Sequence, residues 1–125
     1  MFKSSQLREI VTEGVAGYKD ENKIKILQSL KEFRNVWNSG GCRQYIINFG
    51  KAAGILQNKN HEFAEVFNTA WRDFLNSGTY LSTIAITGSY DSTELLVYFS
   101  KANRAINSLE EYEKEIDKIF AEGFR

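Results

Sequence analysis

Proline is absent from this chain of 125 residues. Loops in β-rich and mixed domains usually draw on it to preset turn geometry, so its absence favours helices joined through glycine and asparagine. Cysteine occurs once, as Cys42, and histidine once, as His61. One cysteine excludes an intramolecular disulfide and gives no sign of an oxidised secreted scaffold. One histidine leaves no Ser-His-Asp constellation, no motif marks a nucleophile, and neither a His-Glu-x-x-His nor a Cys-x-x-Cys pattern exists to hold a metal. Net charge is absent too: 16 basic residues balance 16 acidic ones. Nucleic-acid binders generally carry an excess of Lys and Arg to neutralise phosphate, so only a local basic patch is compatible with that role. No apolar run approaches the ~20 residues that span a bilayer. The stretch MFKSSQLREI lacks the apolar core of a signal peptide, and there is neither a repeat nor a low-complexity tract. A cytoplasmic protein without a membrane partner is the expectation.

What is present is core material. Hydrophobic residues make up 42% of the chain and aromatic ones 14%, which rules against disorder. A chain of this length suits one domain, residues 1–125, able to bury roughly two-thirds of its unfolded surface.

The apolar residues recur with helical period. Leu7, Val11 and Val15, flanked by Ile10 and Tyr18, predict a helix that Ser4 or Ser5 caps and that Gly14 and Gly17 weaken toward a break near Gly17 to Asp20. Ile26, Leu30, Phe33 and Trp37 predict a second, capped by Asp20 and stopped by Asn38, Ser39, Gly40 and Gly41, with a glycine in the left-handed position. Cys42, Tyr45, Ile46, Phe49, Ala53 and Leu56 share one face of a third. Phe63, Val66, Phe67, Ala70 and Phe74 share one face of a fourth, capped by Asn60 and ended by Gly78.

The stretch from Tyr80 onward supports two readings. Tyr80, Ser82, Ile84 and Ile86 alternate as in a strand and are rich in β-branched neighbours. TELLVYFS then has the composition to return as a hairpin partner. Against this, Asp91 and Glu94 have capping-box spacing, and Leu95, Phe99, Ala102 and Ile106 hold a helical stripe that continues through Leu109, Tyr112, Ile116 and Phe120. Helix from about Ser92 is the favoured reading, with a kink or restart at a second capping pair, Ser108 and Glu111; Tyr80 to Thr87 is then either a short extra helix or an isolated extended segment. The expected fold is mostly α: a compact bundle of five or six helices, with room for one β-hairpin near residues 80–100.

Candidate sites are few. His61 reads as a surface residue in the first turn of a helix. Cys42 stands at a predicted helix start, where a thiol pKa can fall, yet it also opens an apolar stripe, so core packing is preferred. GKAAG, residues 50–54, lacks the spacing and the Ser or Thr of a phosphate loop; its small residues suit close helix packing. LEEYEKEIDK concentrates Glu110, Glu111, Glu113, Glu115 and Asp117. Glu110 and Glu113 resemble half of a Mg²⁺-binding Glu-x-x-Glu set, and no second pair completes it. With Glu110–Lys114 as a supporting i,i+4 pair, the run reads as a solvated face. Its sharper reading is an acidic docking surface formed by Glu110, Glu111 and Glu113. Arg34 and Arg43, with Lys31, Trp37 and Tyr45, make a small basic-aromatic patch, in which the arginines are expected to be exposed and Trp37 to lie in the core. Arginine and aromatic residues together are common interface anchors and also stack bases.

These residues imply a protein that binds another macromolecule and does no catalysis, of the kind an immunity protein, an antitoxin, a phage-encoded inhibitor or a small helical subunit of a complex would be. No catalytic residue, metal ligand or cofactor is assigned. A protein partner is expected. The alternatives are a nucleic-acid-associated regulator or subunit using Arg34 and Arg43, and a metal-dependent nucleotide hydrolase completed by a second copy of the chain.

Overall fold

Each apolar stripe becomes the buried face of a helix. The computed structural model describes residues 2–59 and 62–122. Within them lie five helices, α1 (Ser4–Lys19), α2 (Lys23–Trp37), α3 (Gly40–Asn58), α4 (Ala64–Thr87) and α5 (Ser92–Glu122), and no strand. Helices α1, α2, α4 and α5 form a ring of four, each packed on two neighbours, and α3 lies outside it against α4 and the edge of α5. Phe33, Phe67, Phe74 and Phe99 are at most 2% exposed and fill the interior together with Leu7, Leu30, Leu81, Leu95, Ile106 and Leu109. Side chains of this kind each stabilise the fold by about 1.5–3 kcal/mol on burial. Among the described members of the expected stripes Val66 is exposed, and Val15, Trp37, Tyr45, Ile46, Phe63 and Tyr112 are half-buried. Asn60 and His61 lie outside the described residues, as do the side chains of Ile116 and Phe120.

No hairpin forms between residues 80 and 100. Tyr80–Thr87 is the last part of α4, which runs on past Gly78. Leu81 and Ile84 are buried while Ile86 is 64% exposed, so the segment follows the helical period and not the alternation. Its two threonines bond within the helix: Thr83 Oγ1 donates to the Thr79 carbonyl at 2.7 Å, and Thr87 Oγ1 to that of Ile84 at 3.3 Å. The strand reading rests on local propensity, which burial against a neighbouring element overrides. Gly88, at φ 65°, takes the left-handed position that ends α4, and its N–H reaches the Ile84 carbonyl at 2.9 Å.

The start of α5 is as the sequence implies, with Asp91 Oδ1 accepting from the Glu94 N–H at 2.9 Å. The break at Ser108 does not occur. Ile106 and Leu109 both stay at 0% exposure on one unbroken stripe, and a cap worth about 1 kcal/mol does not outweigh their burial.

Other local expectations are corrected. Asp20 does not cap α2; Asn22 does, its Oδ1 accepting from the Lys25 N–H at 3.1 Å. Asp20 instead ends α1. There the Asn22 N–H bonds the Gly17 carbonyl at 2.9 Å and the Glu21 N–H that of Tyr18 at 3.1 Å. This pair of bonds is a Schellman motif, and it forces Glu21 to φ 53°. At the start of α1, neither Ser4 nor Ser5 is the cap: the Lys3 N–H donates to Gln6 Oε1 at 2.8 Å. Gly40 and Gly41 begin α3 and do not terminate α2 in a left-handed turn, while Ser39 Oγ accepts from the Cys42 N–H at 3.2 Å.

Glycines inside the helices mark close approach. Gly78 lies under the Trp37 ring and Gly14 under Phe99, each closer than a Cβ would permit. GKAAG is entirely helical: Ala52 and Ala53 are buried, and Gly50 faces Trp71.

Candidate functional site

The first turn of α1, the first half of α3 and the middle of α5 enclose a trough of about 750 Å³. Its principal lining residues are Phe2, Tyr45, Phe49, Glu110, Glu113 and Asp117. The three acids follow one another at i, i+3 and i+7 along α5, a spacing that keeps them on one face. Two of them hold the bundle together. Glu113 Oε1 accepts from Ser4 Oγ at 2.8 Å and from Tyr45 Oη at 3.1 Å, joining α5 to α1 and α3 at one atom. The first turn of α1 adds the positive end of its helix dipole, which favours a carboxylate there. Glu110 Oε2 pairs with Arg8 Nη1 at 2.6 Å. With exposures of 40% and 26%, this pair is worth at most about 1 kcal/mol. The other oxygen of Glu110, Oε1, is sealed from water and has no hydrogen-bond partner among the described residues.

Rings form the opposite wall. Phe2 meets Tyr45 edge-on at a centroid separation of 5.1 Å, and Tyr45 lies 4.4 Å from Phe49. Phe2 reaches this position across Gly41, where a Cβ would stand 2.8 Å from that of Phe2. Burial pushes the Tyr45 phenol far above its ordinary pKa, and the Glu113 carboxylate adds to the effect. Tyr45 is therefore a fixed hydrogen-bond donor and not an acid at physiological pH. Ser4 is 2% exposed, which keeps its hydroxyl out of reach of a substrate despite the adjacent carboxylate.

No family model, no curated protein and no solved structure matches the chain.

The sequence-derived candidates fall into two sets. Of the three acids read as a docking surface, only Glu111 stands fully in solvent. Glu110 and Glu113 turn inward, which corrects their reading as a solvated face. Glu110 has Arg8 as its partner, and Lys114 makes no ion pair with it among the described residues. They do not converge on a metal position either: no group of three or more His, Cys, Asp or Glu side chains among the described residues does.

The basic pair is also split. Arg34 is half-buried and not exposed; its Nη1 donates to the Ser82 carbonyl at 3.2 Å and to Ser82 Oγ at 3.3 Å, bracing α2 against α4. Arg43 is exposed, and its Nη2 donates to Asn38 Oδ1 at 3.3 Å. Trp37 packs on the core, 5.8 Å from Phe33 and 5.2 Å from Phe74. Cys42 is at 0% exposure, and burial pushes its thiol up to about 12 against the opposing charge of Arg43. It is a core residue and not a nucleophile.

Phe2, Ser4 and Arg8 were not legible as site residues, and Tyr45 was read only as part of the basic-aromatic patch and not beside Glu113. Ser4 and Glu113 are 109 positions apart and Tyr45 and Glu113 68, and no local pattern signals such pairs. Asp117 was legible, since it lies seven residues beyond Glu110 in the same acidic run.

Proposed function

We propose that the protein acts by binding another protein and performs no catalysis, as an immunity protein, antitoxin, phage-encoded inhibitor or small helical subunit does. The observation that carries this reading is the α1–α3–α5 trough: an open concavity with an aromatic wall and a carboxylate rim. Interfaces favour aromatic anchors surrounded by polar groups that set register and association rate. Glu111, exposed on α5 and outside the trough lining, extends the acidic surface beyond the trough toward a basic partner.

The nucleic-acid alternative draws on Arg34 and Arg43, and the bonds from Arg34 to Ser82 leave Arg43 as its main contributor. The hydrolase alternative needs Glu110 and Glu113 to release Arg8, Ser4 and Tyr45 before they hold Mg²⁺.

The test is capture of a partner by the tagged chain in its native host. Gln44 and Asn48 are on the trough lining, and Ile24, 71% exposed, lies on α2 outside it. Gln44→Arg together with Asn48→Arg should release the partner, and Ile24→Arg should retain it. Glu111→Lys should slow association, with the difference shrinking in added salt. Capture that survives the trough variant and is lost with Arg43→Glu would move the interface to the basic patch and favour the nucleic-acid reading.

A further inference from the structure

We propose that the α1–α3–α5 trough is a receptor for a lysine or arginine side chain presented by the partner protein. This rests on the protein-binding reading above and names the chemistry of the contact. The lining joins two kinds of surface, the half-buried rings of Phe2 and Tyr45 and the carboxylates of Glu110, Glu113 and Asp117. Organic cations are the ligand class these surfaces share. Ring faces attract them through the quadrupole, carboxylates through charge and hydrogen bonding, and a long alkyl stem covers the apolar wall while its charged head stays at the rim. An anionic group would be repelled by the acids, and a neutral apolar group would dehydrate them without compensation.

The charge balance points the same way. Lys3 is the one basic residue among the described lining residues. Arg8 offsets Glu110, while Ser4, Tyr45 and the α1 terminus satisfy Glu113. Asp117 is exposed and enters no ion pair among the described residues. Glu110 Oε1 has no donor among the described residues and is sealed from contact, so a cation in the trough acts on it through charge and not by touching it. Asp117 is the open acceptor for the incoming head group. At about 750 Å³ the trough accommodates one long side chain and part of the backbone that carries it.

The test uses the purified full chain and three synthetic peptides: acetyl-Leu-Lys-Leu-amide, the same peptide with ε-acetyl-lysine, and the same peptide with glutamate at the centre. Each is titrated to about 10 mM, the range expected for a single anchoring side chain, while backbone amide and tyrosine ring resonances are followed. The lysine peptide should shift Gln44, Asn48 and the Tyr45 ring, and bind at least about fivefold more tightly than the acetylated one. Asp117→Asn lies on the surface and should leave the thermal melt unchanged while weakening the lysine peptide about threefold.

Equal binding of the lysine and acetyl-lysine peptides, an absence of shifts to the highest concentration, or an unchanged affinity in Asp117→Asn would each overturn the proposal. Trough-dependent capture with no selectivity for the cation would leave the protein-binding reading intact with a different anchor. Cation selectivity without trough-dependent capture would sink that reading and leave the receptor.

Discussion

Gly78→Ala places a methyl group in the middle of α4, where helix propensity alone favours alanine by about 1 kcal/mol. The structure predicts the opposite outcome. A Cβ at Gly78 would overlap Cη2 and Cζ3 of Trp37 and stand 2.7 Å from Cζ2, against roughly 3.5–4.0 Å for an ordinary carbon contact. The ring would have to retreat by more than about 1 Å. It is held between Phe33 and Phe74, each 1% exposed, so the movement disturbs the core. Overpacking of this severity costs about 3 kcal/mol, the upper end of the usual range. After the propensity gain, the net loss is about 2 kcal/mol.

Gly54→Ala is the matched control, since Gly54 is also inside a helix but a Cβ there would meet nothing within 4 Å. It should gain about 1 kcal/mol. Urea unfolding followed by far-UV circular dichroism should therefore separate the two variants by about 3 kcal/mol. Repeating Gly78→Ala in a Trp37→Phe background should remove most of the penalty, because the smaller ring vacates the contested space. If Gly78→Ala is as stable as Gly54→Ala, or costs the same in both backgrounds, the close approach of α4 to Trp37 is wrong.

Phe99→Ala should cost about 3–5 kcal/mol in the same unfolding assay, because Phe99 is 2% exposed and covers Gly14; a loss under roughly 1 kcal/mol would place its ring in solvent. Glu21→Gly should stabilise the protein by about 1 kcal/mol, since a side chain is strained at φ 53°; a destabilised variant would show that the turn is shaped otherwise. Alkaline stability should reflect Cys42. Its thiol is raised from 9.0 to about 12 in the fold, so above pH 9 the unfolded chain loses this proton while the folded chain keeps it, and stability falls as pH rises toward 12. The slope from this one group is at most about 1.4 kcal/mol per pH unit. Unfolding of Cys42→Ala across that window should be correspondingly less pH-dependent, and an identical slope would contradict the burial of the thiol.

The stripes that became helices were legible because burial imposes a period on the sequence itself. Leu7 and Val11, Ile26 to Phe33, and Leu95 to Leu109 need no partner to be recognised as one face each. The cap formed by Asp91 for Glu94 was legible for a similar reason, as donor and acceptor lie three residues apart. The end of α4 was not. Tyr80–Thr87 has the composition of a strand, and packing of Leu81 and Ile84 against the rest of the bundle makes it helix.

The same division governs the candidate site. Period and composition alone dictated a mostly helical chain, a buried Cys42 and an acidic run on the final helix. Packing decided what that run does, turning Glu110 toward Arg8 and Glu113 toward Ser4 and Tyr45 while leaving Glu111 and Asp117 outside. It likewise drew Arg34 to Ser82 and left Arg43 in solvent. Helical period reports which residues face inward, whereas the partner of a charged side chain depends on which helices meet and at what height. That is settled by ring packing and by glycines such as Gly14 and Gly78, whose missing side chains set how closely two helices approach.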